Sequence, residues 1–318
     1  MHRGLSRRGF LAGTAAVGLG AVTGMSPKDA LAQNGTDAAF NNNPMFGRND
    51  PGKYMSAEFP HGGAGTVNYM ELTPRDKFTT EFLFLHRGVL MPKSGLGEHV
   101  HRRMEEMYII LDGAARFTVN GRTAELPAPA MTPCVMGSSH GIYNPTDKPI
   151  EFMNIGVAYA NRKYDALDFN KQNDLVDVIV ESPPPFPWTV FDRRLNHPVP
   201  SFYNGKGQMY TRVVWPTDCY KTKWGFVNHY VLPPGSSVGY HRHKAMEEVY
   251  YVLSGKGRMT VDDVTFDVKA GDAASVVLNG AHGFYNNSNQ DAEIMSIAVA
   301  LEKGKYDGTP LGDDLTGR

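Results

Sequence analysis

The sequence predicts an all-β protein built from two tandem barrels, and three observations lead there. A long block of sequence occurs twice in register. Each copy is filled with short β-branched and aromatic runs, punctuated by Pro, Gly, Asn and Asp, with little helical periodicity. Each copy also carries three histidines and a glutamate that only a sheet closed on itself brings together.

Gly97, His99, His101, Met104, Glu105, Glu106, Gly113, His140 and Asn144 each recur 142 positions later. Their partners are Gly239, His241, His243, Met246, Glu247, Glu248, Gly255, His282 and Asn286. The same offset relates Gly65 to Gly207, Pro74 to Pro216, Val89-Leu90 to Val231-Leu232, and Lys163-Tyr164-Asp165 to Lys305-Tyr306-Asp307. Neither copy has gained or lost a residue between these landmarks, so the chain reads as a duplicated domain. At 318 residues it is long enough for two independent cores. The repeat assigns barrel 1 to residues 59–170 and barrel 2 to 201–310, with an N-terminal arm at 33–58 and a C-terminal tail at 311–318. A connector, 171–200, contains Glu181-Ser-Pro-Pro-Pro-Phe-Pro-Trp188 and suits an extended crossing between the barrels.

Strands are expected at 81–90, 107–111, 115–119 and 151–157, and again at 226–232, 249–253, 258–261 and 293–298. Helical spacing appears only across 164–180, where Leu167, Leu175, Val176 and Ile179 would share one face of a short helical connector.

In His99-x-His101 and His241-x-His243 both imidazoles lie on one side of a strand, because side chains alternate faces. Glu106 and Glu248 follow after a turn's length of chain, and His140 and His282 arrive from a distant strand. Three nitrogens and one oxygen make a ligand set for a divalent transition metal, one per barrel, and leave an octahedral ion open positions for a substrate. Glu106 and Glu248 are also the candidate catalytic bases. The adjacent Glu105 and Glu247 alternate to the opposite face and read as supporting or surface groups. Tyr108, Tyr143, Tyr250, Tyr285, Met104 and Met246 are expected to pack the barrels. Arg102, Arg103, Arg242 and Lys244 point to solvent. His61, His86, His197 and His229 lack a repeat partner and read as surface or packing residues. Nothing in the spacing of Cys134 and Cys219 argues for a disulfide.

Residues 1–32 read as a twin-arginine export signal: Arg7-Arg8, a short apolar stretch, then Ala30-Leu31-Ala32 as a cleavage site. The apolar stretch is too short to span a bilayer, so no membrane association is expected after cleavage, and the protein should be periplasmic or secreted. Cleavage would take the formal charge from −1 to about −4, and no Lys/Arg run remains, which argues against nucleic acid as a partner. A small molecule is the expected partner, and a homo-oligomer is allowed.

The motif spacing resembles that of the cupin superfamily. Gly97, His99-x-His101, Glu106 and Gly113 match its first motif, and His140 and Asn144 its second; the other copy matches with Gly239, His241, His243, Glu248, Gly255, His282 and Asn286. Lys93 stands where the second copy has Gly235, Pro129-Ala130 replaces Gly271-Asp272, and Val135 and Val277 hold the usual proline position. These departures touch turns and spare the ligands. The resemblance covers both copies and implies two double-stranded β-helix (jelly-roll) barrels, a bicupin. It further implies a metal-dependent oxidoreductase, of the dioxygenase type, acting on a small oxygenated or phenolic substrate. Twin-arginine export carries folded proteins, so the ion would be loaded in the cytoplasm, favouring iron or manganese over nickel, copper or zinc. The alternatives are a metal-dependent decarboxylase, lyase or isomerase on a small carboxylate or sugar acid, and a non-catalytic binding or storage bicupin. Oxalate decarboxylases carry an arginine three residues before the first ligand histidine; here Leu96 and Val238 hold those positions, and a Ser-Glu-Asn-Ser lid segment is absent from the sequence. Oxalate is therefore not the expected substrate.

Overall fold

The computed structural model describes residues 37–169 and 175–318. Each copy of the repeat forms a five-stranded and a seven-stranded antiparallel sheet. In barrel 1 the smaller sheet runs, side by side, Leu167–Asp168, Gly95–Val100, Ser139–Tyr143, Ala114–Val119 and Arg122–Pro127. The larger runs Thr189–Val190, Ala130–Cys134, Met104–Ile110, Ile150–Ala158, Phe82–Leu90, Thr66–Glu71 and Met55–Glu58. In barrel 2 the smaller sheet is Val264–Lys269, Lys256–Val261, Ala281–Tyr285, Ser237–Arg242 and Thr309–Pro310. The larger is Phe46–Arg48, Asp272–Val276, Met246–Ser254, Ala292–Ala300, Trp224–Leu232, Gln208–Pro216 and His197–Pro200. The all-β, two-jelly-roll expectation holds.

Each barrel encloses its own core, with Leu90, Phe117, Ile142 and Phe152 in the first and Leu232, Met259, Phe284 and Ile294 in the second. A third core lies between the barrels, where the two large sheets pack back to back through Met107, Ile109, Ile155, Val249, Tyr251 and Ile297. Central strands are therefore covered on both faces. Met104–Ile110 is buried throughout, with Glu106, Tyr108 and Ile110 alternating inward and Glu105, Met107 and Ile109 facing the other barrel. The edge strand Arg122–Pro127 instead leaves Arg122, Glu125 and Pro127 exposed and buries Thr123, Ala124 and Leu126.

Two features extend the repeat beyond the boundaries read from sequence. Met55–Glu58 and His197–Pro200, in the arm and the connector, are edge strands of barrels 1 and 2. Phe46–Arg48, however, pairs with Asp272–Val276 of barrel 2, while Thr189–Val190 pairs with Ala130–Cys134 of barrel 1. The repeat offset equates Gly47 with Thr189, so the same element of each copy crosses to the opposite barrel. Asp50 and Asp192 then cap equivalent 3-10 turns by accepting from Gly52 and Arg194 N–H.

The expected helix at 164–180 is corrected. The described residues of that stretch form the strand Leu167–Asp168 and irregular chain, residues 170–174 lying outside the description. Its apolar residues share no face, because Leu175 is buried while Ile179 is 86% exposed. Leu175, with φ of 58°, seats on Gly141, where an added Cβ would come within 2.6 Å of its Cδ1. Leu315 seats on Gly283 in the same way, so 311–318 closes barrel 2 as Leu175 closes barrel 1. Among the described residues no helix is long and apolar enough to cross a membrane. The proposed signal, 1–32, lies outside the described residues.

Candidate metal centres

All eight sequence-predicted ligands are buried, and they assemble into two clusters whose donor atoms lie within 4.8 Å of one another. His99 and His140 sit directly opposite each other on adjacent strands, as do His241 and His282. Register shifts interrupt the strand pairing beside both pairs. Glu106 and Glu248 come from the facing large sheet.

The orientation of the rings fits a metal. His99 Nδ1 donates to Gly97 C=O and His241 Nδ1 to Gly239 C=O, each at 2.8 Å. His101 and His243 donate to the carbonyls of Asp165 and Asp307. A carbonyl can only accept, so these four rings carry a proton on Nδ1 and turn Nε2 inward. All four Nε2 atoms are buried without a hydrogen-bond partner. Burial holds His99 down at about 2, with His140 and His61 adding to it, and keeps His241 well below its ordinary value with His282 beside it. Burial opposes ionisation of Glu106 and Glu248, but their histidine neighbours prevail and keep both carboxyls in the anionic form. A buried cluster of three imidazoles around a carboxylate, their Nε2 atoms turned inward, is a donor set that a divalent transition ion can take by displacing protons.

The surroundings explain several repeat matches. Asp165 and Asp307 hold a ligand histidine through the carbonyl and cap the following turn through the carboxylate, accepting from Arg102 and Arg103 N–H or Lys244 and Ala245 N–H. Asn144 and Asn286 donate to Leu90 and Leu232 C=O and order the loop after the third histidine. Glu105 and Glu247 point away from the clusters, as alternation required, yet are buried against the opposite barrel and not at the surface. Glu105 accepts from Lys221 and Thr222 N–H, and Glu247 from Thr79 and Thr80 N–H, all at 2.9 Å. Met104 and Met246 are core, Arg102, Arg103, Arg242 and Lys244 are exposed, and both cysteines are unpaired. Tyr108 and Tyr250 line the clusters, their rings 5.7 and 5.0 Å from His140 and His282 and their hydroxyls buried without partners.

Sequence reading missed how the two sites differ. His61 is no mere surface residue: its ring stacks on His99 at 3.7 Å and its Nδ1 lies 2.7 Å from Asp168 Oδ1. The repeat equates it with Tyr203, which stacks on His241 at 3.8 Å, and equates Asp168 with Pro310. His86, stacked on Phe84 and 3.5 Å from Glu71, corresponds to Asn228. Asn154 corresponds to Ser296, whose hydroxyl donates to Glu248 Oε1. The useful signal was the repeat itself, read for its mismatches.

A cupin domain model matches residues 86–156 and 228–298. An oxalate-binding protein from Thermotoga maritima is 31% identical over 97 residues, covering 30% of this chain and 80% of that protein. Among solved structures, oxalate decarboxylase from Bacillus subtilis superposes with a TM-score of 0.54 at 19% identity, covering 83% of this chain and 78% of that one. AerE from Microcystis aeruginosa does so with a TM-score of 0.52 at 15% identity, covering 82% and 100%. Two matched domains, each with a complete ligand cluster, place this chain in the cupin family as a bicupin.

Proposed function

We propose that this protein is a metal-dependent lyase of the decarboxylase kind, acting on a small carboxylate in barrel 1. The observation that carries this reading is the His61–Asp168 pair beside a complete cluster, in a chain whose 31%-identical relative is named for binding oxalate. The relatives thus favour the decarboxylase alternative over the dioxygenase expected from sequence. His99, His101, Glu106 and His140 would hold the ion, and His241, His243, Glu248 and His282 a second. Manganese or iron remains the proposed ion, supported by a Bacillus subtilis oxalate decarboxylase of the same fold (TM-score 0.57) described by its Mn(II) centres.

The ion, when bound, polarises a substrate oxygen and offsets carboxylate charge. The chain supplies the rest. When a carboxylate leaves as CO2, the electron pair of the broken C–C bond stays on the remaining carbon, which then takes a proton. His61 can deliver it from Nε2, to which no described residue bonds, while Asp168 accepts from Nδ1–H and fixes the ring's orientation. With Leu96 in place of an arginine, substrate orientation falls to neutral donors, the Tyr108 hydroxyl, buried without a partner, and the Asn154 amide N–H. That points to small carboxylates beyond oxalate.

The test is a panel of small mono- and dicarboxylates, oxalate included, with Mn(II)- or Fe(II)-loaded protein, following CO2 release and oxygen uptake together. CO2 without stoichiometric oxygen uptake is expected, and His61→Ala should lower kcat by about 10²–10⁴-fold. Oxygen uptake matching product would return the dioxygenase; retention of ligand without turnover would make this a binding protein. Residues 1–32 are further proposed to direct twin-arginine export, so an Arg7→Lys, Arg8→Lys chain should stay in the cytoplasm.

A further inference from the structure

The two ligand carboxylates are held differently. In barrel 2, Glu248 turns a single oxygen, Oε2, to both neighbouring histidines, 3.1 Å from His243 Nε2 and 2.9 Å from His282 Nε2. Its other oxygen, Oε1, is tied back by the Ser296 hydroxyl. In barrel 1, Glu106 splits its oxygens: Oε1 lies 3.4 Å from His101 Nε2 and Oε2 3.3 Å from His140 Nε2. The residue in Ser296's place is Asn154, whose buried Oδ1 has no partner and whose side chain makes no hydrogen bond to Glu106 among the described residues. Both residues occupy the same register position, Asn154 opposite Tyr108 and Ser296 opposite Tyr250. The difference is therefore one of side chain and not of backbone.

We propose that Ser296 is a positioning residue that fixes Glu248 as a one-oxygen ligand, and that its replacement by Asn154 leaves Glu106 free to turn, so that barrel 2 retains its ion and barrel 1 exchanges it. A carboxylate already held in its binding pose loses little freedom on capturing an ion and cannot swing off to start its release. Hydrogen bonds of this type to metal ligands are typically worth about 10–100-fold in affinity. A ligand able to turn instead yields room to an incoming substrate oxygen, which is what the reacting site of barrel 1 requires.

The experiment uses full-length protein with one site disabled: His99→Ala leaves barrel 2, and His241→Ala leaves barrel 1. Each is loaded with Mn(II), and release into excess chelator is timed, with the Mn(II) EPR spectrum recorded beforehand. The barrel 2 protein should release at least about tenfold more slowly than the barrel 1 protein. Adding Ser296→Ala should abolish that difference and broaden the EPR spectrum, while Asn154→Ser in the barrel 1 protein should slow release. If Ser296→Ala does not fold, Asn154→Ser decides alone. Release rates unmoved by the serine, lost or gained, overturn the proposal while leaving the metal sites standing; failure of both proteins to hold Mn(II) overturns it together with them.

Discussion

His99 and His241 sit where burial refuses a proton, while His101 and His243, drawn up by Glu106 and Glu248 against the pull of burial, favour one. The two pairs act oppositely on stability. A histidine held below its unfolded value near 6.5 stabilises the fold above that pH, and its contribution is lost as pH falls. A histidine held above 6.5 stabilises the fold below that pH, and its contribution is lost as pH rises through the raised value. The metal-free protein should therefore be most stable near pH 6.5. A bound ion requires His101 and His243 neutral, so loading should move the maximum upward. Denaturant midpoints from pH 5 to 9, with and without chelator, check this; a shared maximum would count against the ligand assignment. The eight ligands were legible in the sequence because coordination demands particular residue types at particular spacing. His61 was not. It reaches His99 only because the chain takes a left-handed turn at His61, φ 55°, a geometry its repeat partner Tyr203 shares at 53°. Backbone conformation, not residue type, makes that contact.

Between elements, the outward glutamates do what no single repeat could reveal. Glu105, one residue from a ligand of barrel 1, accepts from Met136 N–H of its own barrel and from Lys221 N–H, Thr222 N–H and the Thr222 hydroxyl of the other. Glu247 mirrors it with Leu278, Thr79 and Thr80. Alternation predicted the direction of these side chains, but their depth depends on a second sheet lying behind the first, which the pattern of one strand does not encode. Removing either carboxylate strands several buried N–H groups, so Glu105→Ala and Glu247→Ala should each cost on the order of 3 kcal/mol. A double-mutant cycle of Glu105→Ala with Thr222→Val should show coupling of about 1 kcal/mol or more. Unfolding midpoints measure both. Losses below about 0.5 kcal/mol would mean that water replaces the carboxylate and that the clamp contributes nothing. The connector failed as a helix for a related reason: Leu175 is claimed by the barrel face at Gly141, and a buried tertiary seat outweighs weak helical spacing.

At the scale of the whole molecule the duplication is legible but the exchange of strands is not, since residues 46–60 and 188–202 share only Asp50 and Asp192 at equivalent positions. That exchange decides how the molecule behaves when divided. Barrel 2 without residues 46–48 exposes the backbone edge of Asp272–Val276, and barrel 1 without residues 189–190 exposes that of Ala130–Cys134. Separation also bares the apolar face between the large sheets, including Met107, Ile155, Val249 and Ile297, each at most 1% exposed in the intact chain. Four barrel-crossing ties would go at once: two strands and two glutamate clamps. Neither 37–174 nor 175–318 should therefore persist as a soluble monomer when produced alone, whereas the two expressed together should co-purify as a one-to-one pair. The intact protein should unfold in one cooperative transition, and Met107→Ala, at the shared face, should lower it by about 2–5 kcal/mol without splitting it. Size-exclusion profiles of the halves and calorimetry of the intact chain test this. A half that runs as a monomer and melts cooperatively would show that each barrel folds without its neighbour's strand, leaving the exchange a consequence of the duplication and not a condition of the fold.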